Sequence, residues 1–346
     1  MKFSGKWILG GLFLLNFFLF FEGFAAPPKI CMVLDKGGKD DHSFNESAVR
    51  GFQKAMKDLP ISKESLFVEP KNDSQITQYF VNFSTSARCD FIIGIGFNPS
   101  SYLANMAQNY PQKKFLAIDS NVEDKNKAKN IRSITFEEHE GSFIVGAIAA
   151  MKTKTNKIGF IGGMDVPIIH RFLLGYEAGA KYVNPKIKVT STFIGVTPDA
   201  WNNPSKAKEL ALAQYENDTD IIFQVAASSG NGIFNAAEDM NKSLGKTKYF
   251  AIGVDSNQNW INPKIILTSM IKRVDVSVYN SINEFIHNKF QSGHATYGLQ
   301  NSGVDWSYDK YNQSFFTTTD IAKINKIKKD ILYKKIIVPD FYKQRR

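Results

Sequence analysis

Carboxylates recur in this chain where apolar runs stop. Asp35, Asp40, Asp41 and Asn45 follow the run 30–34, Asp119 and Ser120 follow 114–118, and Asp255 and Ser256 follow 248–254. Two of these tips share a local pattern, Ala117-Ile118-Asp119-Ser120 and Ala251-Ile252-Gly253-Val254-Asp255-Ser256. A carboxylate so placed accepts two hydrogen bonds, which suits the vicinal diol of a sugar or riboside. Phe44, Phe172 and Phe223 offer ring faces on which a planar group can stack. Taken singly, aspartates cap helices and phenylalanines fill cores. The matched pair of tips is what points to a site.

Such tips need elements to hold them. The stretch 30–34 is continuously apolar, as a parallel strand buried on both faces is. Val49, Phe52, Gln53 and Met56 then recur at helical spacing, which predicts a helix entered at Ser43-Phe44-Asn45. The alternation continues with strands at 66–69, 91–94, 114–118 and 131–135, and helices at 74–86, 99–109 and 137–151. It resumes with strands at 157–161 (closed by Gly162-Gly163), 187–195, 220–225 and 248–254, and helices at 167–183, 205–216 and 232–241. A linker strand at 265–270, a helix at 274–290 and a crossing near 296–305 complete the chain. Strands alternating with helices predict parallel sheets covered on both faces, with ligands outside the carboxyl ends of the strands. Several crossings between two such halves describe an α/β clamshell, two doubly wound lobes joined by a multi-strand hinge. Residues 27–136 with a return segment 271–292 form the expected first lobe; 137–270 with a C-terminal segment 293–346 form the second.

Residues 1–25 read as a signal peptide: Lys2 and Lys6 precede the apolar 7–21, and Gly23-Phe24-Ala25 supplies small cleavage residues. Cleavage leaves about 320 residues, exported to the periplasm or secreted, and soluble; a retained signal anchor is the alternative. Lipid attachment needs a cysteine near the cleavage site, and none stands there, so no direct lipid anchor is expected. Cys31 and Cys89 begin neighbouring strands at the end away from the ligand, where a structural disulfide or two buried free thiols are both open readings. The formal charge of +10 falls to +9 once Lys2, Lys6 and Glu22 leave, and basic residues crowd the last part of the chain from Lys323 onward. That cluster is either a contact for an anionic surface or polymer, or an ordinary solvated helix face with a frayed tail. Nucleic-acid motifs are absent, and no nucleic-acid partner is expected.

Enzymatic patterns are weak. Gly94-Ile95-Gly96 lacks the third glycine of a dinucleotide fingerprint and follows a third strand. Five scattered histidines and two cysteines give no zinc spacing, and no Gly-x-Ser-x-Gly elbow occurs. No enzyme activity, metal or cofactor is expected.

Longer motifs carry a resemblance. Asp40-Asp41-His42-Ser43-Phe44-Asn45-Glu46-Ser47 with Gly51-Phe52 and Lys54-Ala55 resembles the signature of the basic membrane protein family, purine nucleoside receptors of the periplasmic-binding-protein type that serve ABC transporters. The resemblance continues at Glu137-Glu138-His139-Glu140-Gly141, at Gly162-Gly163-Met164-Asp165-Val166-Pro167, at Phe223-Gln224-Val225-Ala226 and at Thr268 to Asp275. It implies a type I two-lobed receptor that captures a nucleoside, in all expectation a purine, between its lobes for an ABC transporter permease, working as a monomer. Carried over residue by residue, Phe44 and Phe223 would sandwich the base, Asn45 would bond its edge, and Asp119 and Asp255 would hold ribose hydroxyls. Asp40, Gly230 and Lys272 fall in matching motifs and join the expected pocket. Two departures stand out: Ala226-Ala227-Ser228-Ser229 replaces a glycine-rich turn, which would narrow the pocket or change base preference, and the lipoprotein cysteine of many members is missing. A sugar-binding or signalling receptor on the same fold, or a surface adhesion protein, are the rival readings.

Overall fold

The computed structural model describes residue 1, residues 26–122 and residues 128–344; the signal segment lies outside the described residues. The central apolar runs become strands buried on both faces because helices cover both sides of each sheet, while the edge strands stay partly exposed. In the first half these are β1 (Ile30–Val33), α1 (Phe44–Asp58), β2 (Leu66–Val68), α2 (Asp73–Thr85), β3 (Phe91–Gly94), α3 (Phe97–Asn109), β4 (Lys114–Ile118) and β5 (Ile131–Phe136). The second half runs α4 (Glu138–Lys152), β6 (Lys157–Met164), α5 (Pro167–Val183), β7 (Lys188–Gly195), α6 (Pro204–Glu216), β8 (Ile221–Val225), α7 (Gly230–Leu244), β9 (Phe250–Asp255) and β10 (Ile266–Lys272). The chain ends with α8 (Val274–Ile286), β11 (Gly293–Tyr297), β12 (Val304–Trp306), α9 (Thr318–Leu332) and α10 (Phe341–Gln344).

Two six-stranded sheets result, ordered β11-β5-β4-β3-β1-β2 and β12-β10-β9-β8-β6-β7. Every pairing is parallel except that of β12 with β10. This is the expected pair of α/β lobes. The stretch 265–270, expected as a linker strand within the second lobe, is a strand of the second sheet beside β9. Two details differ from the sequence reading. Residues 293–297, expected with the second lobe, pair with β5 in the first, so the return segment reaches Tyr297. And β6 runs through Gly162-Gly163 to Met164: side chains there would collide with Phe193 and the Trp201 ring, so the glycines admit neighbours rather than end the strand.

The chain crosses between lobes three times, at 136–138, 272–274 and 297–304. The crossings brace one another, since Glu137 N–H donates to the Tyr297 carbonyl (2.8 Å) and Arg273 N–H to that of Gly303 (2.8 Å). At the far end of the first sheet, Cys31 and Cys89 form a disulfide, with Cα atoms 5.7 Å apart. It ties β1 to the start of β3, on the opposite edge from the cleft.

Candidate ligand site between the lobes

The strand tips of both sheets face one cavity of about 70 Å³, lined by Asp35, Asp41, Phe44, Asn45, Asp119, Phe172, Trp201, Asp255 and Lys272 among others. That volume is small beside the ~300–1,000 Å³ of sites for drug-sized ligands.

Asp119 and Asp255 occupy equivalent positions, one residue past β4 and the last of β9. Both adopt left-handed backbone, φ 60° and 64°, a conformation aspartate tolerates better than most residues. Lys272, the last residue of β10 and 2 % exposed, lies between them. Its Nζ donates to Asp119 Oδ2 (2.6 Å) and contacts Glu138 Oε1 (3.1 Å). The rings of Phe136, Phe44 and Phe172 surround the same ammonium at 4.9, 5.1 and 5.6 Å. A desolvated cation among aromatic faces is favourable, and the carboxylates supply its countercharge. Burial alone would push the lysine pKa down; Asp119, Glu138 and Asp255 together drive it above the ordinary value, so it stays protonated.

One ammonium cannot satisfy three carboxylates. Burial raises Glu138, but Lys272 and Arg171 outweigh it and hold that acid below its usual range. Burial pushes Asp119 up to about 7 in spite of Lys272, helped by the charge on Glu138. Its second oxygen, Oδ1, is buried with no hydrogen-bond partner in the described structure. Burial takes Asp255 to about 6, opposed by Lys272 and by a hydrogen bond from Ser43 Oγ (2.6 Å). Asp35 and Asp41 also rise to about 6 through burial.

Glu138 continues inward to a second cluster. Arg171 on α5 donates to Glu138 (2.8 Å), to Glu137 (2.8 Å), to Asp340 (2.8 and 3.1 Å) and to the Phe136 carbonyl. Glu137, His139 and Asp340 bring possible metal-ligand atoms within 4.8 Å of one another. Arg171 already engages both carboxylates, and burial with that guanidinium holds His139 down at about 4. A cation entering there would have to share both carboxylates with the Arg171 guanidinium.

Of the residues expected in the pocket, Phe44, Asn45, Asp119, Asp255 and Lys272 line it, and three do not. Asp40 is exposed and pairs with Lys39; its neighbour Asp41 folds inward instead. There Asp41 accepts from the backbone N–H of Ser43, Asn45 and Glu46 at 2.9–3.0 Å, starting α1. Phe223 is fully buried in the core beneath α5, against Phe160, Phe172 and Tyr176. Gly230 begins α7 behind the lining, where a Cβ would meet the Gln224 amide. Asn45 lines the cavity, but its amide accepts from Asp35 N–H (3.2 Å) and donates to the Asp35 carbonyl (3.1 Å), so both ends are engaged in shaping the loop.

Trp201 and Phe97 line the cavity without having been singled out, and so does Gly96, noted above only as part of an incomplete fingerprint. Trp201 lies in the short turn Pro198–Asn202, where no periodicity marks it; the available signal was Gly163, which leaves room for its ring. Gly96 has φ 93°, and a side chain there would collide with the Asp35 carboxylate. The Ala226-Ala227 departure does reach the lining, with Ala227 at φ 49°.

The closed cleft is also joined directly. Ser256 Oγ donates to the Ser43 carbonyl (2.8 Å) and Gln258 Nε2 to that of His42 (3.1 Å). Arg50 donates to Ser256 Oγ (3.1 Å), and the His42 and Trp260 rings meet edge to face at 5.4 Å.

Two parallel-sheet lobes, three hinge crossings and a buried cleft lined from both sides are the architecture of a two-lobed binding protein. The chain belongs to the PnrA-like family of ABC transporter substrate-binding proteins, whose model matches residues 29–341. It is 34 % identical over 325 residues to the ABC transporter nucleoside-binding protein BmpA of Lactococcus lactis subsp. cremoris, covering 90 % of this chain and 89 % of the relative. Basic membrane protein A of Borreliella burgdorferi is 32 % identical over 315 residues, covering 90 % and 88 %. The crystal structure of an ABC transporter solute-binding protein from Aeropyrum pernix K1 superposes with a TM-score of 0.82 at 25 % identity, covering 90 % of this chain and 94 % of that one.

Proposed function

We propose that this substrate-binding protein captures a nucleoside outside the cytoplasm, as a monomer, and presents it to an ABC transporter permease. The observation that carries the reading is the pairing of Asp119 and Asp255, from opposite lobes, around Lys272 in one aromatic-lined cavity. Ribose hydroxyls donate to the two aspartates and accept from Lys272, while the base lies among Phe44, Phe172 and Trp201. Asn45 acts at one remove by fixing Asp35. A ligand held from both lobes stabilises closure by its differential affinity, which a permease can sense. The nucleoside-binding name of the Lactococcus relative supports the same ligand class. Asp35, Asp41, Asp119, Asp255 and Glu138 outnumber Lys272, so a phosphorylated riboside meets like charge and is rejected.

Calorimetric titration with nucleosides, nucleotides, free bases, ribose and hexoses tests this. Saturable binding of nucleosides alone, purines among them, is expected. Binding of a hexose and no nucleoside would replace the reading with that of a sugar receptor, and release of free base would make the protein an enzyme.

A further inference from the structure

Residues 321–346 hold nine lysines and arginines against two aspartates, which places +7 of the formal +10 charge in the last part of the chain. Far from fraying, its described part is fastened to the second lobe. Ile324, Ile327 and Ile331 bury one face of α9, and Lys334 turns the chain with φ 56°. The backbone N–H groups of Lys335 and Ile336 then donate to the Asp330 carbonyl (2.8 and 3.1 Å), and Asp340 is locked onto Arg171. Both aspartates are thereby turned inward, Asp330 also pairing with Lys326. Lys323, Lys329, Lys334 and Lys335 are exposed and have no ion pair among the described residues.

Apolar side chains project from the same turn. Tyr333 is 67 % exposed, Ile337 75 % and Leu332 41 %, and Lys329 Nζ lies 5.8 Å from the Tyr333 ring. Charge alone would serve any polyanion. Lysines around exposed tyrosine, leucine and isoleucine fit an interface with phosphates outside and hydrocarbon just beneath. Cys31 and Cys89 are bonded to each other, so neither can carry a thioether-linked lipid.

We propose that the end of α9 and its following turn, Lys329 to Ile337, dock on an anionic lipid bilayer. The lysines meet lipid phosphates, and Leu332, Tyr333 and Ile337 enter the headgroup layer. This surface is separate from the residues lining the cleft, so docking leaves ligand affinity unchanged.

Flotation of the purified protein with phosphatidylcholine vesicles, with and without phosphatidylglycerol, tests the proposal. Binding is expected only to the anionic vesicles and weakens with salt. The triple change K329Q/K334Q/K335Q should weaken it by about fivefold for each lysine removed. The double change Y333S/I337S should weaken it several-fold and leave the remainder fully salt-sensitive. Thermal melts and ligand titration of both variants check that fold and cleft are intact. No binding to anionic vesicles, or binding indifferent to both variants, would overturn the proposal. Retention on dextran sulfate that competes with vesicles and ignores Tyr333 and Ile337 would also overturn it, in favour of a polyanion contact.

Discussion

Asp119 and Asp255 end corresponding strands of the two lobes with the same left-handed backbone, and Ala-Ile precedes both, with Gly253-Val254 intervening before the second, yet their surroundings differ. Asp119 bonds the hinge lysine through one oxygen and leaves the other buried and unpartnered. Asp255 is held by Ser43, a hydroxyl from the opposite lobe. The first is paired to the hinge and needs a donor; the second has a donor that exists only while the cleft is closed. Equivalent position in a repeated fold therefore sets where a carboxylate stands, and contacts from other segments set what it lacks. On this view a ligand hydroxyl completes Asp119, and at Asp255 it adds to a contact already made.

The largest test is Lys272→Met, which strips the one ammonium from three buried carboxylates. Breaking a buried ion pair from one side costs about 3–5 kcal/mol, and Tm should fall by roughly 5–15 °C. Adding D119N should recover more of that loss than adding D255N, because Asp119 is the direct partner; equal recovery, read by thermal melts, would erase the asymmetry. Next in size, D119N should weaken nucleoside binding by roughly 10- to 150-fold, the worth of a hydrogen bond to a charged group. D255N should cost less, since its carboxylate already has Ser43. Calorimetry showing the reverse order would mean that the unpartnered oxygen is not the ligand's anchor.

Much of this arrangement was legible beforehand because apolar runs and helical spacing report burial directly. The expected helix 167–183 coincides with α5, and the two aspartate tips fall on one cavity, since strand ends in parallel sheets share an edge. What was not legible was orientation within a segment. Phe223 and Phe172 have equal claims as sequence, but a central strand is covered on both faces, so Phe223 is enclosed beneath α5. Phe172, in the first turns of that helix, reaches the cleft. That Asp41 rather than Asp40 turns inward is seen only in the hydrogen bonds of the loop, beside His42 at φ 56°, and leaves no periodic trace. Asn45 looked free to read a base because its hydrogen bonds to Asp35 span ten residues and a loop.

Ser43→Ala isolates the cross-lobe half of the comparison. It removes the donor from Asp255 and one contact that exists only in the closed form, so nucleoside affinity should drop by about two- to tenfold. Small-angle scattering should then show a more open ligand-free protein, while D119N should leave the ligand-free shape alone. If S43A leaves both affinity and shape unchanged, Asp255 is not coupled to closure.

Acidity gives the smallest and most discriminating effect. Asp119 is raised by burial from an ordinary 3.8 to about 7, and Asp255 to about 6. An acid whose pKa rises on folding stabilises the fold fully below its unfolded pKa, and that contribution is lost as pH climbs through the folded value. Ligand-free stability should therefore fall as pH climbs from the ordinary 3.8 to about 7, and D119N should end that fall at about 6. Affinity should run the other way. A ribose hydroxyl donates best to an ionised carboxylate, so binding should strengthen as the folded carboxylates ionise between about 6 and about 7, by a few-fold at most, and D119N should remove the later step. Melts and titrations across that interval that rise or fall together would show that the group titrating there is not the one that meets the ligand.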